Sequence, residues 1–224
     1  MTPSSRVEAV TNLEPIHFEA PSAGVAPMQM VANWTKGLPV FHGQRMILRE
    51  LARTDASSLL SMLATEEVAK FISPPPTTPQ GFEKFIQWVV REREAGRQMT
   101  FGIVPEGYEH AVGLVQVRAL APNFSVAEWG FAVGSPFWGK GLFAAGAKTT
   151  LDFAFLHTAL NRVEARACVG NSRGNGALRR MGAVQEGVLR GSLQKDGKFF
   201  DQVMWSILAQ DWFQAKATWN SAVN

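Results

Sequence analysis

Hydrophobic and polar residues alternate along this chain in two distinct periods, and the switches between them predict the order of its elements. Arg45 to Glu50 (Arg-Met-Ile-Leu-Arg-Glu) reads as a first strand. Thr54 or Asp55 then caps a short helix carrying Leu59, Leu60 and Leu63. Pro74-Pro75-Pro76 closes the helical piece that follows, because consecutive prolines cannot extend a helix. Thr78 and Pro79 form an N-cap and first-turn pair, opening a helix with Phe82, Phe85, Ile86, Val89 and Val90 on one stripe. Period-two strands follow at Met99 to Val104 and Ala111 to Arg118, joined through Pro105-Glu106-Gly107.

Ser125 to Val133, rich in Val, Phe and Trp, is the next strand. After it comes a helix with Phe143, Ala147, Thr150, Leu151, Ala154 and Phe155 on one face. Between the two lies the turn Trp138-Gly139-Lys140-Gly141-Leu142-Phe143. Asn161 to Val169 predicts a further strand in which Val163, Ala165, Ala167 and Val169 alternate with Arg162, Glu164, Arg166 and Cys168. A short helix with Ala177, Leu178 and Met181 stops at Gly182. Two strands around the hairpin signal Asp196-Gly197 and a helix near Asp211 to Lys216 end the pattern. Residues 1–30 hold four prolines and no sustained period, which predicts a flexible leader before a single domain over residues 31–220. The element order is mixed α/β.

Composition narrows the chemistry. The chain has 224 residues, 46% of them hydrophobic, with seven tryptophans, enough for a packed core. A net charge of +3 with scattered Lys and Arg argues against a nucleic-acid partner. Cys168 stands alone and the four histidines are far apart, so neither a disulfide nor a metal site is expected. No apolar run reaches membrane-span length, and the first residues lack a signal-peptide pattern, so a cytoplasmic protein with no membrane partner is expected.

A strand, a glycine turn and a helix start in succession leave backbone N–H groups unpaired at the positive end of a helix dipole, which suits a phosphate or pyrophosphate. Gly134-x-x-x-x-Gly139-Lys140-Gly141 comes within one residue of a nucleotide-triphosphate loop. Gly141 stands where that loop needs the hydroxyl that holds magnesium, which disfavours it. The turn also lacks the third glycine of a dinucleotide fingerprint.

Phe137-Trp138-Gly139-Lys140-Gly141 resembles the pyrophosphate loop of the GNAT acetyltransferases in their ribosomal-protein-alanine branch (RimJ/RimL type). Phe143 stands where that loop has a small residue. About thirty residues on, Asn171-Ser172-Arg173-Gly174-Asn175-Gly176-Ala177-Leu178 and the Met181-Gly182-Ala183 that follows resemble the branch's second motif. Pro74-Pro75, Gln185 to Arg190 and Asp201 to Leu208 extend the resemblance over roughly residues 38–216.

The resemblance implies the GNAT acyl-CoA N-acyltransferase fold, a mixed, mostly antiparallel central sheet with helices on both faces. It implies acetyl-CoA as cofactor and transfer of its acetyl group to a primary amine by direct attack in a ternary complex. The acceptor would be a protein N-terminus or a small amine such as an amino acid, polyamine or aminoglycoside. Phe131, Ala132 and Val133 would pair with the pantetheine arm. Trp138, Gly139, Lys140, Gly141, Leu142, Phe143 and Ala144 would surround the pyrophosphate, with Lys140 and Arg173 as neutralising cations. Asn171 would hold the pantetheine near the thioester. A backbone N–H of Trp129 to Val133 would serve as oxyanion donor. Glu128 is the first choice for proton acceptor and Glu164 the second; pairing of both with Arg118, Arg162 or Arg166 is an equal alternative. Ser172 lies near the expected thioester. Leu178 occupies the position where related enzymes often carry a tyrosine general acid, and Tyr108 is far from the motifs. That gap supports a competing expectation, a non-catalytic acyl-CoA sensor. A Cys168 acyl-enzyme is disfavoured. Trp34, Phe71, Trp88 and Pro74-Pro75-Pro76 are candidates for the acceptor pocket, with Trp88 read first as core. Relatives are often dimers, so a homodimer is an expectation.

Overall fold

The structure is a computed structural model that describes residues 33–43 and 45–221. The leader expected over residues 1–30 lies outside the described residues. In chain order the elements are β1 (Phe41–His42), β2 (Met46–Glu50), α1 (Ala56–Leu63), α2 (Glu66–Ala69), α3 (Pro79–Glu94), β3 (Gln98–Pro105), β4 (Gly113–Ala119) and β5 (Val126–Val133). They continue with α4 (Leu142–His157), β6 (Arg162–Cys168), α5 (Ser172–Arg180), β7 (Val184–Lys195), β8 (Lys198–Leu208) and α6 (Ala209–Ser221). The strands form one eight-stranded sheet in the order β1-β2-β3-β4-β5-β6-β8-β7. Every neighbouring pair is antiparallel except β5 with β6.

The period-two pattern delivers its alternating side chains to two separate cores. Met99, Phe101, Ile103, Val115 and Val117 pack with Ala147, Leu151 and Ala154 of α4. Val104 and Leu114 point the other way, onto Leu59 and Leu63 of α1 and Phe82, Ile86 and Val89 of α3. Helices therefore cover both faces of the sheet. Thr78 caps α3 as its sequence predicts, its hydroxyl accepting from the Gly81 N–H at 3.0 Å. Asp196 and Gly197 both take positive φ, 48° and 72°, in the β7–β8 turn.

Two local expectations are corrected. Asp55 precedes α1 but makes no side-chain cap on it. Its fully buried carboxylate instead takes a two-pronged pair from Arg49 at 2.7 and 2.8 Å and accepts from the Ala52 and Ala111 N–H groups at 2.8 and 2.9 Å. It pins β2, the start of α1 and the turn before β4 together. Val169 does not continue the buried face of β6: the strand ends at Cys168, and Val169 is exposed.

Burial pushes the Asp55 carboxyl up, but the Arg49 hydrogen bonds, the two backbone N–H groups and the Arg49 charge outweigh it and hold the group below the usual carboxylate range. A depressed folded-state value means that the pair's stabilisation is complete above the unfolded value near 3.9 and is lost as pH falls through the folded value. Asp55→Asn is expected to cost about 3 kcal/mol of stability at pH 7 in urea unfolding. The gap from the parent protein should narrow below about pH 4, where the parent carboxyl also becomes neutral. A loss under about 1 kcal/mol at pH 7 would show that the pair does not hold this corner.

Candidate active site

β5 and β6 touch only at their beginnings. Val126, Ala127 and Glu128 lie beside Arg162, Val163 and Glu164, and pairing stops there. β5 nevertheless stays paired with β4 as far as Val133, and β6 stays paired with β8 as far as Cys168. The two strands therefore diverge into a wedge. Along Trp129 to Val133, the backbone groups on the β6 side have no strand partner and can take an extended ligand as a missing strand.

The glycine turn closes one end of the wedge. Gly139 and Gly141 adopt φ of 75° and 81°, and an added Cβ at either would meet no atom within 4 Å. Glycine is needed there for backbone conformation and not for space. Gly141 then caps α4 with no side chain of its own. Among the described residues, none of the backbone N–H groups from Gly139 to Ala144 donates to a protein acceptor. This row of free donors sits at the N-terminus of a 16-residue helix.

The side chains around the turn explain its other residues. The Trp138 indole donates to the Val133 carbonyl at 2.7 Å, folding the turn back on the end of β5. Arg173 stacks on the Trp138 ring at 4.1 Å, which brings the second motif onto the first. Lys140 rests over Phe137 at 5.2 Å and, unlike Arg173, does not line the cavity beside the turn. Phe143 turns its ring onto Phe131, centroids 4.1 Å apart, so it leaves the backbone donors uncovered.

Two cavities open from the wedge. One, of about 790 Å³, runs along Gly139, Gly141, Phe143, Ser172, Arg173 and Arg180. The other, of about 610 Å³, is bounded by Pro74-Pro75-Pro76, Phe85, Trp88, Gln116, Glu128 and Arg166. Phe71, Ile72, Phe131, Asn171 and Gly174 border both, so the two cavities meet there. Asn171 uses its Oδ1 to accept from the Gly174 N–H at 2.9 Å, which starts α5. Its amide nitrogen donates no hydrogen bond among the described residues.

The wedge brings Phe131, Val133, Trp138, Gly139, Gly141, Phe143, Asn171, Ser172 and Arg173 to the first cavity. Ala132 and Glu128 border the second. Leu142 and Ala144 contribute free N–H groups. Glu164 borders neither cavity and accepts from Arg162 at 2.9 Å. Arg162 also grips Glu186, whose carboxyl is drawn down to about 2 by the Arg162 and Ser206 hydrogen bonds. Glu128 accepts at Oε2 from Arg118 at 2.5 Å, while its Oε1 makes no hydrogen bond among the described residues. Leu178 is buried, and the exposed Tyr108 lies on Phe137. Burial pushes the Cys168 thiol up, away from the thiolate that a nucleophile requires.

Among the pocket aromatics, Trp34 packs on Phe124 at 5.6 Å and borders neither cavity. Trp88 is the reverse of its core reading: at 39% exposure it lines the second cavity. Sequence reasoning did not assign Gln98, Gln116, Leu193 or Gln202 to this cavity. The first two carry a signal in retrospect, since polar side chains at adjacent positions of central strands are costly unless paired. Gln98 donates to Thr100 at 2.9 Å and to Gln116 at 3.2 Å. Leu193 and Gln202 had none, because the curl of the β7–β8 hairpin brings them over.

A parting sheet, a row of free donors at a helix start and two cavities meeting at an asparagine define the site of an acyl-CoA-dependent N-acyltransferase. Residues 45–184 match the family model described as Acetyltransferase (GNAT) domain, and the chain belongs to that family. The chain is 24% identical over 176 residues to the uncharacterized N-acetyltransferase p20 of Bacillus licheniformis, covering 78% of this chain and 99% of the relative. The solved ribosomal-protein-S5-alanine acetyltransferase from Vibrio fischeri superposes with TM-score 0.70 at 20% identity, covering 78% of this chain and 98% of that one. RimL, a ribosomal L7/L12 alpha-N-protein acetyltransferase solved with coenzyme A, does so with TM-score 0.69 at 16% identity, covering 76% and 98%. At these identities the two structures establish the fold. No helix among the described residues is long and apolar enough to cross a membrane.

The enzyme uses acetyl-CoA, and the free donors of the turn fit its pyrophosphate. Gly141→Val is expected to abolish measurable CoA binding by calorimetry, because a β-branched residue resists φ near 81° and pulls the donors out of line. The far-UV spectrum should stay unchanged, given the open space around that position. CoA affinity equal to that of the parent would remove the turn from the binding site.

Proposed function

We propose that this protein transfers the acetyl group of acetyl-CoA to a primary amine by direct attack, with the acceptor entering through the Trp88 and Pro74-Pro75-Pro76 side. The observation that carries this reading is the meeting of the two cavities at Phe131, Asn171 and Gly174. Acetyl-CoA supplies a thioester whose C–S bond breaks as the new C–N bond forms. The N–H groups of Gly139 to Ala144 and the Arg173 guanidinium hold anionic oxygens at one end of the wedge. The unpaired edge of Trp129 to Val133 and the Asn171 amide hold carbonyl and amide groups along it.

Glu128 is the proton acceptor of this reading. Of the two candidate carboxylates it alone borders the acceptor cavity, and its Oε1, with no hydrogen bond and Arg166 4.0 Å away, can receive a proton from an incoming ammonium. Ser172 lies on the cofactor side and suits hydrogen bonding there better than proton removal from the acceptor. With Leu178 in place of a hydroxyl, the departing thiolate takes its proton from water. An α-amine, with a pKa near 8, makes a smaller demand on the base than a lysine ε-amine near 10.4. An N-terminal or amino-acid α-amine is therefore the favoured acceptor, in keeping with RimL's described action on a protein α-amine. A reading in the cytoplasm, where ribosomal proteins are found, follows from the same likeness.

The second reading, a sensor that binds acyl-CoA without turnover, draws on the missing tyrosine at Leu178. Free-thiol release from acetyl-CoA, followed across peptides and small amines, separates the two: tight CoA binding with no acceptor acetylated would establish the sensor. Glu128→Gln is expected to lower kcat/KM for the best acceptor by about 100-fold, with CoA affinity preserved. A change under about threefold would remove Glu128 from proton transfer.

A further inference from the structure

The acceptor cavity has an unusual charge inventory for an amine-binding site. Among the described residues, its ionisable lining consists of Arg118 on β4, Glu128 on β5 and Arg166 on β6, a net positive set. Arg118 is committed to Glu128 Oε2. Arg166 is held only by a long ion pair: its side chain is 42% exposed, it makes no hydrogen bond among the described residues, and its Nε lies 4.0 Å from Glu128 Oε1. The parting of the strands accounts for that gap. Glu128 is the last residue of β5 paired with β6, whereas Arg166 lies two residues beyond the last position of β6 paired with β5. An acid and a base thus face the acceptor side by side, each with hydrogen-bonding capacity to spare.

We propose that Arg166 is a specificity-determining residue that binds a carboxylate of the acceptor, while Glu128 Oε1 takes the ammonium beside it. The acceptor class is an amine with a carboxylate close by, not a polyamine or an aminoglycoside. In an α-amino acid the nitrogen lies about 3 Å from the nearer carboxylate oxygen, which matches neighbouring partners 4.0 Å apart. A polycation would instead meet two arginines and a single, already paired acid. A guanidinium suits this task because its fixed fork meets both carboxylate oxygens. The carboxylate has two sources, the α-carboxylate of a free amino acid and the side chain of a peptide's N-terminal Asp or Glu. This inference rests on the transfer reading of the same site.

The test measures kcat/KM for matched acceptors. An N-terminal glutamyl peptide is set against its glutaminyl counterpart, alanine against alaninamide, and spermidine serves as the polycation. The parent enzyme should favour the carboxylate-bearing member of one pair by about tenfold or more, and that pair identifies the source. Arg166→Gln should erase the preference, Arg166→Lys should restore part of it, and Arg166→Glu should turn it towards spermidine. CoA affinity, measured for each variant, reports that the fold is retained. Equal rates for charged and neutral members in the parent, or a preference that survives in Arg166→Gln, would overturn the anchor while leaving acetyl transfer in place. Parent enzyme that binds CoA but acetylates none of these acceptors, nor any in the wider amine panel, would overturn the transfer reading and the anchor with it.

Discussion

The divergence of β5 and β6 is the constraint on which the rest of the structure depends. A strand that abandons a neighbour leaves a row of backbone donors and acceptors exposed, a cost that a folded chain carries only when something else is paired with them or water reaches them. Here each strand keeps its other partner to the end, β4 for one and β8 for the other. The sheet therefore remains rigid on both sides of an opening. The opening is held from above and below as well: Trp138 fastens the glycine turn to Val133, and Asn171 fastens the start of α5 to its own first turn. Binding energy from an extended ligand can go into orientation, since the walls are already in place.

The charged residues at the point of parting are sorted by their partners. Glu164 and Glu128 lie side by side there, in register across the two strands. Glu164 is absorbed by Arg162, which also binds Glu186 and so ties β6 to β7. Glu128 accepts a hydrogen bond from Arg118 on one oxygen only. Two residues further along β6, where the strands have separated, Arg166 reaches the other oxygen only across 4.0 Å.

Much of this was legible in the sequence because it is written locally. The strand–turn–helix succession around Gly139 and Gly141 follows from periodicity and glycine, and the cap at Thr78 and the turn at Asp196-Gly197 follow from side-chain chemistry at adjacent positions. The resemblance carried by Phe137 to Gly141 and by Asn171 to Ala183 supplied the cofactor. What was not legible depends on residues far apart in the chain. Asp55 looks like a cap until Arg49 and the Ala111 N–H appear beside it. Trp88 sits at a helical position next to apolar neighbours, and only the placement of α3 at the cavity mouth distinguishes it from core. The separate fates of Glu128 and Glu164 could not be read at all, because both stand in strands and the partner of Glu128, Arg118, lies ten residues away and meets it only through the β4–β5 pairing.

The two awkward residues of the motif region are resolved differently by the fold. Phe143 replaces a small residue in the turn, yet a helix start points its side chain along the sheet and its N–H along the axis, so ring and donor separate without conflict. The ring then fills the floor of the wedge against Phe131, which a smaller residue would leave hollow. Leu178 has no such compensation in polar terms: it is buried beneath the second cavity, and its side chain carries no hydroxyl. A thiolate is a far weaker base than an alkoxide, so its departure tolerates protonation by solvent, whereas an ammonium cannot attack until it loses a proton. In the proposed transfer the demand on the protein therefore falls on the side of the wedge where Glu128 lies.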